Sequence, residues 1–456
     1  MSIPECYTDI DLYLSDTLQF LKEFRWIFTT SNTEFIVHGI LHQIPSEWVP
    51  TIDSLSLDEL NEIPFDYIKE SWPISLQTFL TRLKKLKPSI VEIPINSEQN
   101  HKEEPAFLRG IKPKKIHEIY KLSEEISRCC CDISNDSTVF VDLGCGVGHL
   151  TQFLHRKFQY KMLGIEADAE RVKTARNIQK NKFPASQISV KFAEHFVGSD
   201  SASFLQSVSA KEFSLSASPD LILTGLHACA DLTVDALNLF LRTANVDKLI
   251  IMPCCYHKMK LQENCIDQFE NVPLSRRVKS APFVEDIVNR PFLRLAGQQT
   301  AARWRNNTES EHTDHGRNMF VRGVIQAVLS EDETVIKSKQ ITSQSADCNC
   351  TLESILAQYT LIDKLTKEET MWSSSHKLKL ENLLKTYPNG AVMSEFLTCL
   401  QASIQSICEN LVVLDRLLYA KEEAAKLQLN VNISAKKIVN ENISPRCFVI
   451  IAEKNK

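Results

Sequence analysis

The run Thr138-Val-Phe-Val-Asp-Leu-Gly-Cys-Gly-Val-Gly-His-Leu150 restricts the possible folds more than any other segment. Val139, Phe140 and Val141 suit a buried strand, and His149-Leu150-Thr151 opens an amphipathic helix. Between them glycines alternate at 144, 146 and 148. Glycine tolerates φ > 0 and lets the backbone come close to a ligand. A strand that feeds a helix through such a turn predicts a doubly wound α/β sheet with a nucleotide site at the strand ends. A dinucleotide turn wants G-x-G-x-x-G; Gly144 and Gly146 match, but His149 stands in place of the third glycine.

A second marker follows. Tyr160-Lys-Met-Leu-Gly-Ile-Glu166 is a short apolar run ending in an acid, 18 residues beyond Gly148. A carboxylate there can accept both ribose hydroxyls. The spacing Asp142-x-Gly144-x-Gly146-x-Gly148 resembles the acidic-x-Gly-x-Gly-x-Gly motif of class I S-adenosylmethionine-dependent methyltransferases. That resemblance implies a turn facing the methionine half of S-adenosyl-L-methionine, with Asp142, Gly144, Cys145, Gly146, Gly148, His149 and Glu166 around the cofactor. An NAD-dependent oxidoreductase would share Glu166 but lacks its glycine here.

At 456 residues and 43% apolar composition, the chain holds two or three domains with full cores. A net charge of −5 argues against wholesale attraction to nucleic acid, though not against a local basic groove. Fourteen cysteines include the adjacent Cys129-Cys130-Cys131 and Cys254-Cys255, arrangements ill suited to a disulfide framework. With no signal-peptide pattern at Met1-Ser-Ile-Pro-Glu-Cys6, they predict reduced thiols in the cytoplasm or nucleus. No run reaches the roughly 20 apolar residues that span a bilayer, so no membrane association or obligate partner is expected.

The pattern predicts a helical N-terminal domain (1–104), closed by an exposed linker at Asn96–Glu104. The sheet core would occupy 105–270, a helical and basic insertion 271–408, and final strands 409–456, with Glu409–Leu414 and Cys447–Ala452 as an antiparallel edge. Thr351–Leu365 and Trp372–Leu384 read as helices, Ile188–Phe192 as a strand, and Val197–Ser218 as a serine-rich surface excursion. A helix from about Gly110 to Cys130 brings Lys114, Lys115 and His117 just ahead of the first strand. Lysines at a helix start oppose its dipole, so they suit either an anionic substrate or plain solvation. Arg276, Arg277, Arg290, Arg294, Arg303, Trp304 and Arg305 would suit RNA or an acidic substrate, or equally a solvated face.

Asp220–Leu226 and Lys248–Pro253 predict strands four and five. If they are neighbours, their ends bring His227, Cys229, Asp231, Cys254, Cys255, Tyr256, His257 and Lys258 together. His227, Asp231, Tyr256 and His257 are the candidate catalytic residues, a histidine being able to move a proton near neutral pH. Cys229, Cys254, Cys255 and Lys258, with Lys114, Lys115 and His117, would meet the acceptor. The cysteines also suit packing. As a zinc set they depart from C-x₂₋₄-C and H-x₃₋₅-H spacing, so no metal is assigned.

Gly225-Leu-His-Ala-Cys-Ala-Asp-Leu232 and Cys254-Cys-Tyr-His-Lys258 resemble paired signatures of the methyltransferase-like protein 25 family. The likeness extends to Pro113-Lys-Lys-x-His-Glu118, Val272-Pro-Leu-Ser275, Leu411–Leu418 and Ser444-Pro-Arg446, with Ala230 where the pattern leads one to expect glycine. It implies a seven-stranded class I methyltransferase fold using S-adenosylmethionine and says much less about the acceptor, for which RNA or protein is favoured. A weaker likeness links the Cys-Cys-x-His run to transfer-RNA 2′-O-methyltransferases. Adenine N6 chemistry usually relies on Asn/Asp-Pro-Pro-Tyr/Phe after strand four, where this chain has Gly225-Leu-His-Ala228. That absence leaves open a catalytically inactive descendant serving as a binding scaffold.

Overall fold

A computed structural model describes residues 3–88, 110–134, 137–215, 218–298, 300–332, 334–339 and 350–455. Its centre is a seven-stranded sheet in the order β3-β2-β1-β4-β5-β10-β9. The strands are β1 (Thr138–Leu143), β2 (Lys161–Glu166), β3 (Val190–Glu194), β4 (Asp220–Cys229), β5 (Val246–Cys254), β9 (Val431–Lys437) and β10 (Phe448–Lys454). The first five are parallel, while β10 runs antiparallel to both β5 and β9. Every residue of β1 is buried, as a strand covered on both faces must be. Alternation sends Val139 and Val141 into one apolar cluster and Phe140 into the other. Strand order reverses between β1 and β4, which opens the crevice where such sheets bind ligands.

The helix Pro113–Cys129 buries Ile116, Ile119, Leu122 and Ile126, three or four residues apart, in the Phe140 cluster. Among the three adjacent cysteines only Cys130 is buried; Cys131 is exposed, so close packing describes one of them.

Four expected elements differ. Val197–Ser218 is largely a helix, Ser201–Phe213, whose Leu205 enters the core. Ile188 is exposed and precedes β3. Thr351–Leu365 divides into a helix, Leu352–Gln358, and a strand, β7 (Tyr359–Asp363). That strand pairs with β6 (Val335–Lys339) and β8 (Glu369–Thr370) in a small antiparallel sheet. Glu409–Leu414 lies within the 37-residue helix Gly390–Lys426. Its β-branched Val412 and Val413 read locally as strand, but apolar residues continue at helical spacing on both sides and are buried. The edge strand is instead β9, where only alternate residues Ile433 and Ala435 are buried. That long helix is the one among the described residues long and apolar enough to cross a membrane. Since 94% of its most apolar window is buried, its surface serves internal packing.

The chain forms two compact units, one of Met1–Leu18, Pro88–Gln298 and Ile407–Lys456, the other of Gln19–Lys87 and Gln299–Ser406. Gln19–Lys87 of the N-terminal segment and Gln299–Ser406 of the insertion share one unit, while residues 271–298 fall in the unit that holds the large sheet. The expected linker and the boundary at 104 lie outside the described residues.

Candidate functional site

The glycine turn and the acid after β2 form the first half of the site. Gly144, Gly146 and Gly148 have φ of 68°, 59° and 81°. A β-carbon on Gly148 would sit 2.5 Å from the Phe192 ring, whereas one on Gly146 would meet nothing within 4 Å. Gly148 therefore sets packing, and Gly146 borders open space. The turn is tied to β2 by the Cys145 amide donating to the Ile165 carbonyl, 3.0 Å. Glu166 is 8% exposed; its Oε2 accepts from the Gly146 amide at 2.9 Å and its Oε1 from the Asp168 amide at 3.2 Å. Two backbone amides thus aim the carboxylate at the mouth of the turn.

Asp142, at the end of β1, is fully enclosed and accepts from the Thr151 hydroxyl at 2.6 Å. Burial pushes its carboxyl up to about 7. Burial also pushes His149 down to about 4, so its ring is neutral at pH 7, and holds the half-buried Lys115 below the ordinary lysine value, with Asp142 and Glu118 opposing that shift. Cys145 is a buried thiol within the turn.

The ends of β4 and β5 form the second half. Cys229 and Cys254 are register partners, their sulfurs 2.9 Å apart, and the three sulfurs of Cys229, Cys254 and Cys255 lie within 4.8 Å of one another. Both strands end on non-glycine residues in the left-handed region, Ala230 (φ 52°) and Cys255 (φ 54°). Hydrogen bonds from Cys229 and Cys254 draw the Cys255 thiol well below its ordinary value, while hydrogen bonds with Cys229 and Cys255 raise Cys254.

Two side chains that sequence reasoning did not assign to the site complete it. Glu118, 1% exposed, accepts from the Ser444 hydroxyl at 2.6 Å and lies 3.4 Å from His227 Nε2. Arg446 Nη1 stands 3.3 Å from His227 Nδ1, and its Nη2 3.7 Å from Cys255 Sγ. Burial alone would raise Glu118, but hydrogen bonds from His227 and Ser444 bring it below the usual carboxylate range. The signal available in the sequence was the pair of shared motifs ending in Glu118 and Arg446, 328 positions apart (446 − 118) and without separate chemical meaning.

Other expected site residues lie elsewhere. Asp231 accepts from the Lys260 amide (2.9 Å) and from Asn271 Nδ2 (2.8 Å), so both oxygens pin the chain after β5. Tyr256 is 1% exposed beneath the Arg416 guanidinium, 5.1 Å from ring centre, which makes it a core residue. His257 is buried, with its Nδ1 unpartnered and its carbonyl accepting from Arg290 at 2.7 Å; burial keeps its ring below the ordinary histidine value. His117 Nε2 accepts from the Asn440 amide at 3.3 Å. Lys114 lies 4.0 Å from Glu118, and Lys258 is exposed.

The basic segment is likewise engaged. Arg276 and Arg277 pair with Glu422 and Asp11, Arg305 grips Glu62 through two nitrogens, and the buried Trp304 donates to the Leu60 carbonyl. These contacts tie Arg276, Arg277, Arg305 and Trp304 to their own units.

Residues 114–262, which contain both halves of the site except Ser444 and Arg446, match a family described as "Methyltransferase domain". This segment is similar to methyltransferase domains. The chain is also similar to the probable methyltransferase-like protein 25 of Mus musculus, 26% identical over 248 residues that make up 52% of this chain and 38% of that protein. The Homo sapiens counterpart is 25% identical over 52% of this chain and 37% of its own length. The chain thus spans under two-fifths of these curated relatives. Among solved structures, the plantazolicin methyltransferase BpumL in complex with SAH overlaps with a TM-score of 0.24 at 10% identity, over 90% of this chain and 99% of that one. That score is too low to transfer structural detail.

Proposed function

We propose that this chain is an S-adenosylmethionine-dependent methyltransferase, with the cofactor held between the Gly144–Gly148 turn and Glu166. The observation that carries the reading is the Glu166 carboxylate, fixed by the Gly146 and Asp168 amides beside the open face of Gly146. A carboxylate so aimed has lone pairs left for a ribose diol, and the glycine backbone admits a ligand at close range. The cofactor, when bound, supplies an electrophilic methyl group. The protein's part is to hold the acceptor in line, and positioning of this kind can supply much of the rate.

His227 is the side chain best placed to steer an acceptor proton. It lies between Glu118 and Arg446, half exposed, at the carboxyl end of β4. Cys229 and Cys255 would border the acceptor, while Asp231 and Tyr256 act by shaping the site.

A second reading, a methyltransferase-fold binding module without turnover, draws support from those same two residues, since Asp231 and Tyr256 are committed to structure. Calorimetric titration with S-adenosylhomocysteine tests the first reading. Micromolar binding by wild type that weakens in Glu166→Ala supports it, and no binding by the folded wild type overturns it. Methyl transfer from labelled cofactor to RNA or protein fractions, abolished in His227→Ala, then separates enzyme from module.

A further inference from the structure

We propose that Cys229, Cys254 and Cys255 bind a zinc ion as three thiolates, leaving a fourth coordination position open at the ends of β4 and β5. Their three sulfurs lie within 4.8 Å of one another. Cys229 and Cys254 are register partners on neighbouring parallel strands, so both side chains leave the sheet on the same face. Cys255 would point to the opposite face if the strand continued. Its φ of 54° turns the chain there and brings the third sulfur to the same place. That conformation costs a residue with a β-carbon about 1–2 kcal/mol. Glycine would remove the strain but cannot supply a thiolate, and strain of this kind concentrates at functional positions.

Zinc holds thiolates at about 2.3 Å, which sets sulfurs about 3.8 Å apart in a tetrahedron. The 2.9 Å Cys229–Cys254 separation must open by about 1 Å, a side-chain rotation that leaves the strands in register. Binding takes all three sulfurs as thiolates and releases whatever protons they still carry. A divalent ion with three thiolates carries one negative charge, and the Arg446 guanidinium, 3.7 Å from Cys255 Sγ, is positioned to offset it.

His227 is not the fourth ligand, because its two ring nitrogens face Arg446 and Glu118 at 3.3 and 3.4 Å. Zinc sites with three protein ligands keep an exchangeable position for water or substrate, whereas purely structural sites close with four. The half-buried Cys229 and the 9% exposed Cys255 flank the buried Cys254, which turns the open position toward solvent. Three converging sulfurs beside a guanidinium fit a metal thiolate better than a Cys229–Cys254 disulfide, which would leave the third sulfur, Cys255, unused.

The test uses the full chain, untagged and purified in reducing, chelator-free buffer. Elemental analysis is expected to find about one zinc per chain, and replacement by cobalt to give an intense thiolate-to-cobalt charge-transfer band. Cys254→Ser and Cys255→Ala should each lower zinc content at least tenfold, while Cys265→Ser, in a surface loop, should not. Zinc retained by a folded Cys254→Ser/Cys255→Ala double variant would overturn the proposal. So would a wild type that takes up neither zinc nor cobalt, whether mass mapping then finds a Cys229–Cys254 disulfide or three free thiols; this arm needs no variant to fold. Titrating the same samples with S-adenosylhomocysteine keeps the two readings separate: zinc without cofactor binding removes only the methyltransferase reading, and cofactor binding without zinc removes only this one.

Discussion

The turn after β1 and the ends of β4 and β5 face the same edge of the sheet and both place residues in the left-handed region, yet they reach that state by different routes. After β1 the residues are Gly144, Gly146 and Gly148, for which positive φ carries no steric penalty. After β4 and β5 they are Ala230 and Cys255, each strained by about 1–2 kcal/mol. The first region needs backbone amides and open space, which glycine provides. The second needs side chains, and Arg446, from a distant segment, meets the strained Cys255 there. A relaxed backbone binds through its own amides; a strained one presents sulfur and imidazole.

The largest expected effect breaks the relaxed side of this contrast. Gly148→Ala places a β-carbon 2.5 Å from Phe192 at φ 81°, and strain plus overpacking should lower stability by about 3–5 kcal/mol in urea unfolding. An unchanged midpoint would show that the turn is not held as described. Next comes Asp142. Its folded carboxyl stands near 7 against an ordinary 3.8, so the folded state binds the proton more tightly and stability falls as pH rises from about 4 to 7. Asp142→Asn should flatten that slope, by an amount on the order of 4 kcal/mol, in unfolding curves measured across the range.

On the strained side, Arg446→Ala leaves the buried Glu118 with less compensation and should lower stability by about 2–3 kcal/mol. Arg446→Lys should recover only part, since a single ammonium cannot meet both His227 and Cys255. Glu166→Ala should weaken S-adenosylhomocysteine at least tenfold, about 1.5 kcal/mol or more, with a smaller change in stability. The smallest effect sharpens the comparison: Ala230→Gly should stabilise the fold by up to about 1 kcal/mol, read as a raised melting temperature. A lowered one would mean that Ala230 is not strained.

What the sequence determined by itself was local. The β1 turn, the acid of β2 and the parallel strands could be read because each occupies a short segment whose period and glycine spacing carry the signal. Ala230 standing where glycine was expected was visible too, and its φ of 52° shows why glycine would suit that turn.

Tertiary structure decided what depends on partners far along the chain. Val412 and Val413 have strand propensity, but burial along the helix Gly390–Lys426 overrides it. Asp231 and Tyr256 look like chemistry in a motif until Lys260, Asn271 and Arg416 arrive to occupy them. Arg276, Arg277 and Arg305 look free until Glu422, Asp11 and Glu62 pair with them. The cysteines fail every local metal spacing because their convergence is set by strand register across a 25-residue gap, and register is a property of the sheet. Glu118 and Arg446 meet at His227 for the same reason: a buried charge is stabilised by whatever the fold brings within a few ångströms, and sequence distance does not enter that energy.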